Sequence, residues 1–118
     1  MSMQIDMEYG RKALIVRLTG ELDHHTADSV KLKMEESLEK GTASHIVLNL
    51  RGLDFMDSSG IGVILGRYKQ ITAKGGKMVI CNASPAVHRL FEMSGLFKIM
   101  TVVDTEKEAI ASLEVVSK

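Results

Sequence analysis

A chain of 118 residues, 45% hydrophobic and 25% charged, has the balance of one globular domain with its own core and is too short for two. Fifteen Lys and Arg match fifteen Asp and Glu, and aromatic residues make up 4% with no Trp, which excludes the basic field and the stacking platform of a nucleic-acid binder. A single cysteine, Cys81, excludes an intrachain disulfide and a cysteine-built zinc site. No apolar run approaches the roughly 18 residues of a membrane span, and without a signal-like N-terminal segment the expected address is the cytoplasm.

Repeats, low-complexity tracts and linkers are absent, so residues 1–118 read as one domain. Met3, Ile5 and Met7 alternate with polar residues, the period of a half-buried strand. Gly10-Arg11 marks a turn, and Ala13 to Leu18 predicts the hairpin partner. Gly20-Glu21-Leu22-Asp23 then opens a helix with Asp23 as its expected N-cap; Ala27, Val30, Met34 and Leu38 form its apolar stripe and Gly41 its stop. Ile46 to Leu50 is a short apolar run of the kind buried on both sheet faces.

Asp57-Ser58-Ser59-Gly60 follows and predicts a helix start capped by Asp57 or Ser58. Ile61, Ile64, Leu65, Tyr68 and Ile71 predict its core face, and Gly75-Gly76 its end. Met78 to Cys81 predicts another buried strand. Ser84-Pro85 starts a third helix, with Val87, Leu90 and Phe91 inward and Gly95 at its end. Met100 to Val103 predicts the last strand, and Asp104 the cap of a final helix packed through Ala109, Ile110, Leu113 and Val116. An opening strand pair, then helix and strand in alternation, is an α/β layout with a mixed, mostly parallel sheet of about five strands and about four helices. Sites in such sheets form at the carboxyl ends of the strands, where the Asp57-Ser58 loop falls.

A serine in the first turn of a helix is exposed and meets the positive end of the helix dipole. Phosphorylation there would add about −1.5 to −2 charge beside Asp57, in the more acidic half of the chain. Residues 1–59 hold seven Lys and Arg against ten Asp and Glu, and residues 60–118 hold eight against five. Enzyme readings fail at the same segment. Met56 stands where a nucleophile elbow needs its first Gly, and Leu65 stands where a dinucleotide loop needs its third; no Gly-Lys-Ser/Thr phosphate loop exists. His24 and His25 point about 100° apart on a helix and cannot chelate one ion, while His45 and His88 lie in separate elements, so no metal or cofactor is expected. Leu96-Phe97 reads as a contact closing the third helix rather than a docking surface.

Gly20-Glu21-Leu22-Asp23-His24-His25, Phe55-Met56-Asp57-Ser58-Ser59-Gly60 and Leu65-Gly66-Arg67-Tyr68-Lys69 together resemble the STAS-domain anti-sigma factor antagonists. Ser84-Pro85-Ala86-Val87, Arg89-Leu90-Phe91 and Met93-Ser94-Gly95-Leu96-Phe97 extend the resemblance over essentially the whole chain. It implies a single STAS domain and a binding protein rather than an enzyme. In this family the unphosphorylated antagonist binds an anti-sigma factor, itself an ATP-using serine kinase, and so frees a sigma factor that serves sporulation. The kinase phosphorylates the first serine of the Asp-Ser-Ser-Gly motif, here Ser58, and a PP2C-type phosphatase reverses this. The resemblance assigns partner binding to Asp23, Met56, Asp57, Ser59, Gly60, Ile61 and Gly62. No direct contact with nucleic acid or membrane is implied, and the free protein is expected to be a monomer. The alternative from another class is a nucleotide-binding module that uses the helix N-terminus after Ser58 as an anion site; a phosphocarrier is disfavoured because a serine phosphomonoester is kinetically inert.

Overall fold

The chain folds as β1 (Met3–Tyr9), β2 (Ala13–Leu22), α1 (Ala27–Lys40), β3 (His45–Met56), α2 (Ser58–Ala73), β4 (Met78–Cys81), α3 (Pro85–Ser94), a 3-10 turn (Leu96–Lys98), β5 (Thr101–Val103) and α4 (Glu106–Val116). This computed structural model describes residues 3–10 and 12–116, with side chains to residue 113. Arg11 of the predicted turn and the side chain of Val116 therefore lie outside the described residues.

One five-stranded sheet runs in the order β1-β2-β3-β4-β5. β1 pairs antiparallel with β2, from Met3 opposite Gly20 to Tyr9 opposite Leu14, and every later pairing is parallel. Crossovers of one hand along a monotonic strand order deliver their helices to one face. On that face α1, α2 and α3 cover Leu14, Val16, Leu18, Ile46, Leu48, Leu50 and Ile80. The alternate residues Ile15, Val47, Val79 and Cys81 point the other way, beneath Ala109 and Leu113 of α4. β4 is accordingly buried along its whole length, as the unbroken apolar run predicted.

On the α4 face the alternation places Arg17 after Ile15 and Asn49 after Val47. The Arg17 Nε and Nη2 donate to the two carboxylate oxygens of Glu106 at 3.0 and 2.7 Å, and Asn49 Nδ2 donates to Glu106 Oε2 at 2.7 Å. This fork holds the first turn of α4 on the sheet. Hydrogen bonding from Arg17, opposed by burial and aided by Asn49, keeps the Glu106 carboxyl below its usual range.

Several boundaries depart from the sequence expectations. β2 continues past Leu18 to Leu22 and β3 past Leu50 to Met56, with register shifts against each other between Arg17 and Thr19 and between Gly20 and Glu21. Those irregularities break the period-2 pattern: Leu53 and Met56 are buried, whereas Arg51, Asp54 and Phe55 are exposed. Asp23 is not the N-cap of α1, which begins at Ala27 after Thr26. Asp104 does not cap α4; the Thr105 hydroxyl accepts the Glu108 N–H at 3.1 Å. The covered arc of α2 is wider than its predicted stripe, because the helix packs on α1 as well as on the sheet. Gly60, Val63, Ile64, Arg67 and Ile71 are buried, and Ile61, Leu65 and Tyr68 are half-buried. Leu96 is buried and Phe97 packs its ring 4.5 Å from His88 and 6.1 Å from Phe91, so this pair closes the end of α3. No described helix is long and apolar enough to cross a membrane.

Candidate functional site

β2 and β3 end together, Leu22 opposite Met56, so the turn leaving β2 lies beside the turn leaving β3. The Asp57 N–H donates to the Leu22 carbonyl at 3.3 Å. In the other direction the His24 N–H donates to Asp57 Oδ2 at 3.2 Å. Asp57 Oδ1 accepts the N–H groups of Ser59 at 2.8 Å and Gly60 at 3.4 Å. Asp57, not Ser58, is therefore the N-cap of α2, and its carboxylate satisfies two of that helix's otherwise open donors.

Ser58 is the first helical residue and is exposed. Ser59, one residue on, is half-buried and lines a cleft between α1 and α2. Local sequence offers no choice between the two hydroxyls; exposure separates them.

The adjoining turn is built by a reciprocal pair. Asp23 Oδ1 accepts the N–H groups of His25 at 2.8 Å and Thr26 at 3.2 Å, and the Asp23 N–H donates to Thr26 Oγ1 at 3.0 Å. The Thr26 hydroxyl donates to the Glu21 carbonyl at 2.7 Å. Burial would raise the Asp23 carboxyl, but these backbone hydrogen bonds outweigh it and hold the group below the usual range. Asp23 is buried and shapes the turn rather than presenting its charge outward. The Asp-x-x-Thr spacing is the local sequence signal for this arrangement.

The other assigned positions divide by exposure. Met56 and Gly60 are buried, Ile61 is half-buried and Gly62 is exposed. A Cβ on Gly60 would lie 2.4 Å from Met56 Cγ and 2.9 Å from Leu22 Cγ, so glycine at this position lets the start of α2 seat on the strand ends. Gly62 and Gly66 meet nothing within 4 Å and are open toward the cleft. Phe55, half-exposed at the rim, and the buried Arg67 lie in the motif blocks of the resemblance without a site role assigned to them. No group of three or more His, Cys, Asp and Glu among the described residues is placed to hold a metal ion.

The two turns thus present one open serine hydroxyl at a helix start, flanked by a carboxylate already committed to backbone donors. The STAS domain family matches residues 4–109. A Paenibacillus polymyxa protein named anti-sigma F factor antagonist is 59% identical over 117 residues, covering 99% of this chain and 100% of that one. The chain belongs to the STAS-domain anti-sigma factor antagonists. Among solved structures of this family, unphosphorylated SpoIIAA is 37% identical with a TM-score of 0.81, over 94% of this chain and 96% of that one. Phosphorylated Bacillus SpoIIAA is 36% identical with a TM-score of 0.72, over 92% and 98%. The antagonist fold thus accommodates both states of SpoIIAA.

Proposed function

We propose that this antagonist acts on an anti-sigma factor of the F type, as the Paenibacillus relative is named to do, and that phosphorylation of Ser58 switches it off. The unphosphorylated protein, a monomer when free, binds an anti-sigma factor that is also an ATP-using serine kinase and so releases a sporulation sigma factor. A PP2C-type phosphatase restores the active form. The protein is a kinase substrate and binding partner in the cytoplasm, not an enzyme.

The observation that carries this reading is the exposure of Ser58 at the first position of α2, directly after the Asp57 carboxylate. A partner carboxylate about 5 Å from a phosphate there is repelled by roughly 3 kcal/mol at an effective dielectric near 20. An acidic or apolar partner surface placed over Ser58 meets a penalty of that order, about a hundredfold in affinity. Asp57 is tied to three N–H groups, which favours an effect at the interface over a rearrangement of the fold.

The nucleotide reading needs free donors in the first turn of α2. Asp57 already takes the Ser59 and Gly60 N–H groups, so this reading gains no support. Intact-mass spectrometry after incubation with ATP, with and without the anti-sigma factor from the same genome, tests the proposal. One phosphate that requires the kinase and maps to Ser58 is expected; a phosphate mapping elsewhere overturns it.

A further inference from the structure

α1 and α2 leave the same edge of the sheet side by side, and a cleft of about 400 Å³ lies between them, lined by Asp28 and Lys31 of α1 and by Ser59, Gly62, Gly66 and Arg67 of α2. Arg67 is poorly satisfied for a buried cation. Its side chain is 8% exposed, and Nη2 makes one ion pair, 3.3 Å from Oε2 of a Glu35 that is itself 34% exposed. Nε and Nη1 are closed off from solvent with no hydrogen-bond partner. Gln70, nearly one turn on, also has an unpartnered Oε1, so no acceptor on α2 itself closes on the fork. A guanidinium offers five N–H donors in one plane, suited to a carboxylate, and burying one half-satisfied carries a desolvation cost that apolar side chains of similar size avoid.

Gly62 and Gly66 lie one turn apart on the same wall. Nothing inside the chain requires them, since a Cβ on either meets no atom within 4 Å, and glycine within a helix weakens it relative to alanine. An under-satisfied cation and two helix-weakening glycines on one wall have a common explanation if an outside group fills the space and takes the guanidinium.

We infer that the α1–α2 cleft receives an acidic side chain of the anti-sigma factor, an Asp or Glu that passes over Gly62 and Gly66 and pairs with the Arg67 guanidinium as that side chain turns toward the cleft. The inference rests on the proposed function and deepens it. Charge at the Arg67 end favours this occupant: Lys31 makes no ion pair among the described residues, and Glu35 engages Arg67 through one nitrogen only. Asp28 lies at the opposite end, where Ser59 also lines the cleft. The incoming carboxylate therefore sits at the end of the cleft away from the Ser58 turn, nine residues or about 13 Å along α2.

Calorimetric affinity for the anti-sigma factor from the same genome, together with the thermal midpoint of the full chain, tests the inference. Arg67→Met is expected to weaken binding at least tenfold with the midpoint held or raised. Gly66→Ala, whose added methyl meets open space, is expected to do the same. Lys31→Glu is expected to weaken binding severalfold. Binding within twofold of the parent by both Arg67→Met and Gly66→Ala overturns the cleft, and tighter binding by Lys31→Glu overturns an acidic occupant. If the parent itself fails to bind, the proposed function is what fails.

Discussion

The Asp57 carboxylate accepts the backbone N–H of His24, 33 positions away in sequence, at 3.2 Å. One oxygen thus serves the turn after β2 while the other caps α2. The two loops that flank Ser58 are a single hydrogen-bonded unit, and a charge added at Ser58 acts on a surface to which both contribute.

Ser58→Ala is expected to retain anti-sigma binding and lose phosphorylation, whereas Ser58→Asp is expected to fold normally and bind at least tenfold more weakly, since one carboxylate carries part of the phosphate's charge. Calorimetry on both variants checks this, and equal, tight binding by the two would refute an electrostatic switch.

Asp57→Ala removes the N-cap of α2 and the stitch to His24. Loss of an N-cap costs about 1 kcal/mol, within a range of roughly 0.5–2, and the cost here is expected in the upper half because a second element is released. Urea unfolding measures it. Asp57→Asn, which keeps an acceptor oxygen, is expected to lose less.

Gly60 and Gly66 lie on the same helix and should answer oppositely to a methyl group. Gly60→Ala drives a Cβ into Met56 and Leu22 and is expected to destabilise by about 1–3 kcal/mol. Gly66→Ala meets open space and is expected to stabilise by up to about 1 kcal/mol. Thermal melts of the two variants side by side decide whether packing or propensity governs each position.

Acid stability should depend on the Arg17–Glu106 fork. Because the folded Glu106 carboxyl titrates below its unfolded counterpart, the pair contributes stability above the unfolded value, roughly 4.3, and that contribution is lost as pH falls through the folded value. His45 adds to the same trend: burial, with Lys77 and Lys12 nearby, lowers its pKa, so its contribution is present above roughly 6.5 and fades on acidification. Glu106→Gln is expected to lower stability at neutral pH and flatten the loss below about pH 4.3. Urea midpoints measured from pH 7 down to pH 3 check both slopes.

Cys81 is buried beneath α4, and burial pushes its thiol up to about 11. It should resist thiol reagents in the folded state and react stoichiometrically in urea. Rapid labelling of the native protein would contradict the placement of α4 over β4.

Much of the architecture was legible because its signals are local. Met78 to Cys81 is an unbroken apolar run and forms β4 as predicted. Ser84-Pro85 and Gly95 bound α3, each through a conformational preference carried by one residue. Gly75, with a φ of 83°, ends α2 as its position suggests. The Ser58 site was legible for the same reason: a short polar residue, two serines and a glycine between a buried strand and an apolar period describe a capped helix start whatever lies around them.

What escaped the sequence depends on neighbours remote along the chain. The extensions of β2 and β3 follow from their pairing across two register shifts, which no single strand's pattern records. Asp23 reads as a helix cap until Thr26 and the Asp57 turn engage the same loop. Arg67 stands in a motif block with no role of its own until α1 packs beside it and leaves its fork half-satisfied. Sequence by itself determined the α/β layering, the helix limits set by capping residues and the serine at the start of α2, because φ/ψ preference and hydrophobic period act within a few residues. Only the tertiary structure decided which serine is exposed, what each glycine touches and where a buried cation lacks partners, because burial and hydrogen-bond satisfaction belong to surfaces shared by elements far apart in the chain.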